Sequence, residues 1–394
     1  MDLRELWLLL LGLAVLLARG GLFFYLCGST RSKNAAGAIL RATADFCLAV
    51  LAFWAVGNAI LSNDLAGVLG RRGTFGITAF FDCTIVLIAT GAALGGTLER
   101  AHFLPTLFIS ALVAGLLVPL AGRWEWYGWL YSLGFVDVGG AACLHIVGGI
   151  GAAVGAVVIG PRGGKYNQDG STNLIPGHSF PMVAAGAMAM IFGILPQLAG
   201  CAILGHVDPA AAIASGLLAA AAAGISAMAL GRYRYGITDV HLAIIGMLGG
   251  VVAASAGAGI LPSWAAVLIG AVAGVLVPLA TVRIDLRRKI DDPSSAIAIH
   301  AVGGAWGLLA TGILISGGIG FRLHQLLIQL IGLAAIAAFS LIVLAAAWLV
   351  MRTAIPLRLG EADELDGGDL AELDVNAYPD FQQTTIKSYH LRET

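Results

Sequence analysis

The sequence predicts an all-α polytopic membrane protein with eleven transmembrane helices, arranged as two inverted five-helix repeats plus a final helix. Of the 394 residues, 59% are apolar and 11% charged, and the mean hydropathy is +0.90. A water-soluble domain has roughly a quarter charged residues. Apolar segments of about 20 residues, long enough to cross a bilayer, recur along most of the chain. Two similar motifs lie five such segments apart, and an odd number of spans inverts the second motif.

Windows of about 20 apolar residues place the spans in chain order. They cover residues 5–28, 36–61, 75–98, 103–121, 137–160, 180–204, 208–230, 239–258, 261–282, 296–316 and 325–352. The first segment resembles a secretory signal, but its acidic start and the lack of an A-x-A site favour an uncleaved helix. Beyond Arg352 the chain is polar and acidic. We therefore expect a transmembrane domain at 1–352 and a tail in water at 353–394.

Composition also limits the function classes. The chain has 22 basic and 23 acidic residues and no basic stripe, which excludes a nucleic-acid binder. The five cysteines are scattered singly in apolar segments without metal-ligand spacing. We therefore expect no metal and no cofactor, and the sequence does not point to an enzyme.

Basic residues in the connections predict the orientation. The odd-numbered connections hold eleven lysines and arginines, and the even-numbered ones hold four. This bias predicts cytoplasmic odd connections in the cell (inner) membrane, with the N-terminus outside and the tail in the cytoplasm.

The two similar motifs are an internal repeat with a period of 155 residues. The first copy is Asp137-VGGAACL-His145-IVGGIGAAVG, and the second is Asp292-PSSAIAI-His300-AVGGAWGLLA. Inverted repeats build a shared site near the bilayer midplane. We therefore expect the two histidines to meet there, with the following glycines letting their helices approach closely.

Two adjacent neutral imidazoles can share a proton and line a narrow apolar pore. Charged groups in a bilayer cost at least a few kcal/mol, so a histidine pair at this depth points to function. Two alternatives remain: each histidine is an isolated packing residue, or the pair binds a metal or haem. Further ligands at suitable spacing for a metal or haem are lacking.

Several further segments, in order, resemble the ammonium transporter (Amt/Rhesus) superfamily. They are Gly28-Ser-Thr-Arg31-Ser-Lys33-Asn34, Gly91-AALGGTL-Glu99-Arg100, Asp291-Asp292-Pro293, Glu364-Leu365-Asp366-Gly367 and Ala377-Tyr378-Pro379-Asp380-Phe381. The resemblance implies a homotrimer with one ammonium or ammonia pore in each subunit. It also implies that a PII-type signalling protein docks on the cytoplasmic face.

Carried over by position, the resemblance makes His145 and His300 the twin pore histidines. It makes Asp137 the structural or recruiting aspartate of span five, and Phe81 one of two phenylalanines that close the outer mouth. Ile194 stands where the second of these phenylalanines is expected.

Other positions also depart from the family pattern. Leu198 replaces the serine that helps to hold the cation, and the outer tryptophan falls on Glu125 or, with a one-residue shift, on Trp126. These changes favour either weaker recruitment or recruitment by Glu125 or Asp82. Arg19 and Asp45 are charges within spans that the resemblance does not explain, and we expect them to face a vestibule, a partner helix or the interface.

The sequence therefore predicts ammonium transport through a narrow hydrophobic pore. The alternative is an ammonium-binding sensor that has the same fold and conducts little or nothing. The altered outer mouth favours the sensor, whereas the lack of a kinase or cyclase domain after the tail counts against it.

Overall fold

The computed structural model describes residues 1–71 and 75–379, which form helices and no β-strand. We label the helices of the membrane region α1 to α11 in chain order. They are Leu3–Ser29, Ser32–Leu61, Ile77–Gly95, Phe103–Leu133, Ala141–Ile159, Phe180–Leu204, Pro209–Tyr235, Val240–Ala254, Ser263–Arg288, Ile297–Leu314 and Ile319–Ala354. Ten are long and apolar enough to cross a membrane, and α8 is a shorter apolar helix. The eleven predicted helices are confirmed.

Two helices extend well beyond their predicted ends. The fourth span was predicted to end at residue 121, but the helix continues to Trp126, because charged Arg123 and Glu125 lower the local hydropathy without interrupting the helical backbone. After a break at Tyr127 and Gly128, a short helical segment, Trp129–Leu133, completes α4. Helix α11 has 36 residues and starts at Ile319 rather than at 325. At about 1.5 Å per residue it is about 54 Å long, so it extends beyond a hydrocarbon core of about 30 Å.

Corresponding helices of the two repeats pack against each other. Helix α1 lies along α6, where a Cβ added to Gly186 would stand 2.5 Å from Tyr25 N and one added to Gly193 would stand 2.1 Å from Ala18 N. Helices α5 and α10 likewise cross each other. Small residues at these crossings let the backbones approach, as expected for helices packed in lipid.

The tail, which its acidic composition predicts to lie in water, packs against the helices of the membrane region. Two short helices, α12 (Glu361–Asp366) and α13 (Gly368–Leu373), follow α11. The buried Asp369 carboxylate accepts hydrogen bonds from Ala36 N at 2.9 Å and Gly37 N at 2.6 Å. These amides belong to the first turns of α2, where a carboxylate is favoured by the helix dipole.

Glu372 makes a second attachment of the tail. It forms an ion pair with Arg41, and its other oxygen lies 2.9 Å from Nδ1 of His102. The acidic residues of the tail thus satisfy positive groups of the membrane region. Asp380 and Phe381, the last two residues of the tail motif, lie outside the described residues, as does Arg72.

An ion-pair network joins odd-numbered connections. The Glu99 carboxylate accepts hydrogen bonds from Arg31 Nε at 2.5 Å, from Asn34 Nδ2 at 2.9 Å and from Arg162 Nη1 at 2.6 Å. Arg162 also binds Asp291 in a bidentate manner, at 2.8 and 2.9 Å. Connections one, three, five and nine therefore meet on one face, which agrees with their predicted common side.

We expect Asp291→Asn to destabilise the fold by about 2 kcal/mol at neutral pH. Burial raises the pKa of Asp291, but the hydrogen bonds and charge of Arg162 outweigh that effect and hold the pKa at about 2. The folded pKa is thus lower than that of a free aspartate, so this stabilisation is complete above about pH 4 and is lost as the pH falls towards about 2.

Thermal unfolding of the purified protein across this pH range checks the prediction. The difference between the wild type and Asp291→Asn should shrink as the pH falls. The control is Asp363→Asn, because Asp363 is exposed on α12, where a charge should contribute little. A difference that does not change with pH would contradict the assignment.

Candidate functional site

The two predicted histidines meet in the structure. Nδ1 of His145 lies 2.9 Å from Nδ1 of His300, and the ring centroids are 5.1 Å apart with the planes inclined by 17°. The rings are 0% and 3% exposed. Each histidine lies in a π-helical turn at the start of its helix, Ala141–Ile146 in α5 and Ile297–Val302 in α10. The two halves therefore present their histidines in the same way.

The contact between the two Nδ1 atoms restricts the protonation of the pair. A hydrogen bond at this distance needs a proton on one Nδ1 and a lone pair on the other. Two protonated Nδ1 atoms would repel each other, so the contact holds one shared proton. His145 Nε2 is buried without a hydrogen-bond partner among the described residues. The two imidazoles can therefore accept or release a proton at a ring nitrogen on either side of the Nδ1–Nδ1 hydrogen bond.

Glycines four residues after each histidine allow the rings to meet. A Cβ added to Gly149 would stand 2.3 Å from Ala301 N, and a Cβ added to Gly304 would stand 2.9 Å from Ala141 O. Such contacts with backbone atoms would force the helices apart. The repeated glycines thus set the distance between α5 and α10, as the sequence predicted.

The aspartates of the two motifs bind the first turns of the same helices. Asp137 accepts hydrogen bonds from Ala141 N at 2.8 Å and Ala142 N at 2.6 Å. Asp292 correspondingly accepts one from Ile297 N at 2.8 Å. Both carboxylates satisfy amides that would otherwise be unpaired at a helix start. The geometry supports a structural role for Asp137.

A cavity of about 230 Å³ lies against the connections α4–α5 and α6–α7. Both are even-numbered, so this is the predicted outer side, and we call it the outer cavity. Its lining includes Asp82, Glu125, Trp126 and Asp137. Trp126 is held by its indole nitrogen, which donates to Asp137 O at 3.0 Å. The predicted position of Asp82 towards the outer vestibule agrees with this lining.

Glu125 is the exceptional group in the outer cavity. It is 2% exposed, and its carboxylate lies beside Cys143 of α5 without a well-aligned hydrogen bond to any described residue. Asp82, 8% exposed, adds a second carboxyl group to the same cavity. A carboxylate at the wall of a cavity can offer oxygen acceptors to a cation with N–H donors when its side chain turns towards that cavity.

Two further cavities lie elsewhere in the described structure. A small cavity of about 20 Å³, lined in part by Arg19, Ile194 and His300, has room for about one water molecule. A cavity of about 360 Å³ lies against the odd-numbered connections and is lined in part by His241 and Asp292. We call these the small cavity and the inner cavity.

Comparison with known proteins identifies the family. The sequence model of the Ammonium Transporter Family matches residues 6–378. The chain belongs to this family. It is 31% identical to the ammonium transporter Amt2 of Archaeoglobus fulgidus, with 95% of this chain and 88% of that protein aligned. A solved structure titled "Sensor Amt Protein" has a TM-score of 0.87 and 30% identity, covering 94% of this chain and 98% of that one.

Further solved structures share the fold. Mep2 of Saccharomyces cerevisiae has a TM-score of 0.80 and 24% identity, covering 91% of this chain and 88% of that chain. The fold class and the resemblance found in the sequence are thereby confirmed.

Within this family fold, Phe81 lies fully buried in α3 against α6, where a Cβ added to Gly200 would stand 2.2 Å from its ring. It is followed directly by Asp82, which lines the outer cavity. Ile194 lines the small cavity beside His300. Leu198 is fully buried next to Gly139, whose added Cβ would stand 2.6 Å from the leucine side chain. Two aliphatic side chains thus stand on α6 where the resemblance implies a phenylalanine and a serine.

Sequence reasoning used Arg162 only as a positive charge and missed its central place in the ion-pair network. No motif marks it, since its partners Glu99 and Asp291 are 63 and 129 residues away. It also left Arg19 and Asp45 unassigned. Their spacing of 26 residues across two helices is no recognisable pattern, and only the fold pairs them.

Proposed function

We propose that the chain transports ammonium across the membrane by passing ammonia and a proton between the outer and inner cavities, past His145 and His300. The single observation that carries the proposal is the contact of two buried Nδ1 atoms at 2.9 Å. Family membership and the named transporter relatives support the substrate. We propose transport only, with no enzymatic conversion of the substrate into another product.

The histidine pair gives the pore a means of discriminating ammonium from potassium. The two cations are similar in size, so a size filter alone separates them poorly. Ammonium can give a proton to an imidazole and continue as ammonia, whereas potassium has no proton to give. A dehydrated pore with a shared-proton pair therefore passes the weak base and stops the metal cation.

Currents from liposomes that contain the purified protein test this function. An ammonium gradient should drive a current, and an equal potassium gradient should not. A silent wild type that still binds ammonium in calorimetry would favour the second candidate, an ammonium sensor. Two observations favour that candidate: the similarity to the sensor structure, and the replacement of the second phenylalanine and the serine by Ile194 and Leu198.

We also propose that Glu125, together with Asp82, recruits the cation into the outer cavity beside Trp126. Leu198 does not line this cavity and offers no hydroxyl group, so the two carboxyl groups would supply the oxygen acceptors instead. We also propose Phe81 as the outer gate. Asp137 holds the start of α5 in this proposal.

Glu125→Gln should raise the ammonium concentration that gives half-maximal current by about fivefold, equivalent to roughly 1 kcal/mol. The amide keeps the shape of the side chain and removes its charge. Initial currents over a range of ammonium concentrations measure the effect. Glu5→Gln is the control, because the Glu5 side chain is 49% exposed at the start of α1. Equal half-maximal concentrations in wild type and Glu125→Gln would reject recruitment by this carboxylate.

We infer an assembly and a location from the same family membership. The proposed state is a homotrimer in the cell (inner) membrane, with the N-terminus outside and the tail, 353–394, in the cytoplasm beside the transmembrane domain, 1–352. A PII-type protein would bind the face that carries the ion-pair network and the tail. Exposed apolar side chains on α11, such as Leu327 and Ile342, support contact with lipid or another subunit. Native mass spectrometry checks the trimer.

A further inference from the structure

A buried ion pair joins α1 to α2 inside the membrane region. Arg19 of α1 contacts the carboxylate of Asp45 in α2, and the two residues are 5% and 0% exposed. Charges at this depth are expensive and are usually found where they serve a function. A buried pair is also weak support for stability, because apolar residues of similar size often replace such a pair without loss.

Groups from α2 and α3 fix the position of this pair. Arg19 Nη2 donates to Ala42 O at 2.5 Å, and Nη1 donates to Leu87 O of α3 at 3.3 Å. Thr90, also of α3, donates to Asp45 Oδ2 at 3.1 Å. Gly91 leaves space for the guanidinium, since an added Cβ would stand 2.8 Å from Nη1. The guanidinium is thus held in one orientation.

The pair is asymmetric with respect to the small cavity. Arg19 lines this cavity together with His300 and Ile194, whereas Asp45 is not among its lining residues. Arg19 Nε and Asp45 Oδ1 are each buried without a partner in the described residues, so the lining of the cavity alone distinguishes the two ends. The positive end of the pair therefore faces the cavity, and the negative end lies behind it. A cation that enters this cavity meets the guanidinium before it meets the compensating carboxylate.

We propose that Arg19 is a specificity-determining residue, an electrostatic filter that excludes monovalent cations from the segment of the pore beside His300. Neutral ammonia passes the guanidinium without charge repulsion. Potassium, sodium and intact ammonium are repelled, and the repulsion is stronger in a dry, low-dielectric cavity than in water. A fixed arginine excludes cations from other narrow pores by the same physics. This filter rests on the proposed transport function and adds to the discrimination by the histidines.

Asp45 has a distinct part in this filter. It balances the charge of Arg19 for the protein as a whole, which keeps the buried arginine tolerable. It also lowers the positive potential near His300, which acts alike on a cation in the small cavity and on a proton held by the ring. Removing Asp45 alone therefore raises the barrier to both.

The test uses two variants with opposite expected effects, each reconstituted in liposomes. The neutral double variant Arg19→Met/Asp45→Leu removes both charges and keeps apolar volume. Its potassium current should exceed that of the wild type by at least about tenfold. Asp45→Asn leaves the arginine unbalanced, so it should exclude potassium as the wild type does and carry less ammonium current. Arg19→Lys keeps the charge and should keep potassium exclusion.

If the ion pair only held the helices together, the double variant and Asp45→Asn would change the currents in the same direction. A filter changes them differently, so the two roles can be distinguished. Unchanged potassium exclusion in the double variant overturns the proposal. Failure of the double variant to assemble also overturns it, because the pair would then serve the fold. The potassium measurement decides the filter even if the wild type carries no ammonium current, and that silence would count against the proposed transport function instead.

Discussion

Replacing His145 with alanine removes the selective ammonium current, and replacing His300 does the same. Either change breaks the contact of the two Nδ1 atoms at 2.9 Å and leaves no partner with which to share the proton. Ammonium then remains a cation that cannot be deprotonated, and Arg19 repels it from the small cavity. We expect the current to fall by at least about a hundredfold, as for the loss of a positioned acid–base group.

Currents in liposomes under ammonium and potassium gradients measure this effect. The control is His324→Ala, which removes an exposed histidine of α11 that lies far along the chain from the pair. An ammonium current that keeps its selectivity over potassium in both His145→Ala and His300→Ala would refute the role of the twin histidines. Binding of ammonium that persists in a silent wild type would instead support the sensor.

Gly149→Ala should abolish transport through a steric effect at the same crossing. The added Cβ would stand 2.3 Å from Ala301 N, and that backbone atom cannot rotate away. The helices must separate, and the histidine rings separate with them. We expect a loss of current by at least about tenfold together with a destabilisation of about 1–3 kcal/mol, the usual cost of overpacking.

Gly20→Ala provides the matched control for this variant. A Cβ at Gly20 meets no heavy atom within 4 Å, so the same chemical change should leave transport and stability as in the wild type. The measurements are the ammonium current and the thermal unfolding midpoint. Wild-type current in Gly149→Ala would show that the spacing of α5 and α10 does not control the histidine contact.

The two repeats explain how polar and charged side chains are accommodated in so apolar a chain. Each half contributes one histidine, one glycine for the crossing and one carboxylate that satisfies a helix start. The polar groups are thereby concentrated between the halves rather than on surfaces facing lipid. Other buried charges pair with each other: Arg19 with Asp45, and Arg162 with Glu99 and Asp291, whereas Asp82 and Glu125 line the outer cavity.

Local properties of the chain were enough to predict the eleven helices and the family. Hydropathy over about 20 residues depends on composition alone, and membrane insertion requires little more. The eight-residue spacing from Asp137 to His145, repeated from Asp292 to His300, also predicted that the histidines meet. Because an odd number of spans separates the two copies, the second copy is inverted in the membrane. Few arrangements then remain in which the two histidines do not meet.

Only the tertiary structure decided which distant groups contact one another. The pairing of Arg19 with Asp45, the two partners of Arg162 and the docking of the tail through Asp369 depend on crossing angles and on side-chain directions. Hydropathy and spacing contain no information on these quantities, because they describe one segment at a time. The exposure and contacts of Glu125 in the outer cavity, likewise, follow from helices that pack around it.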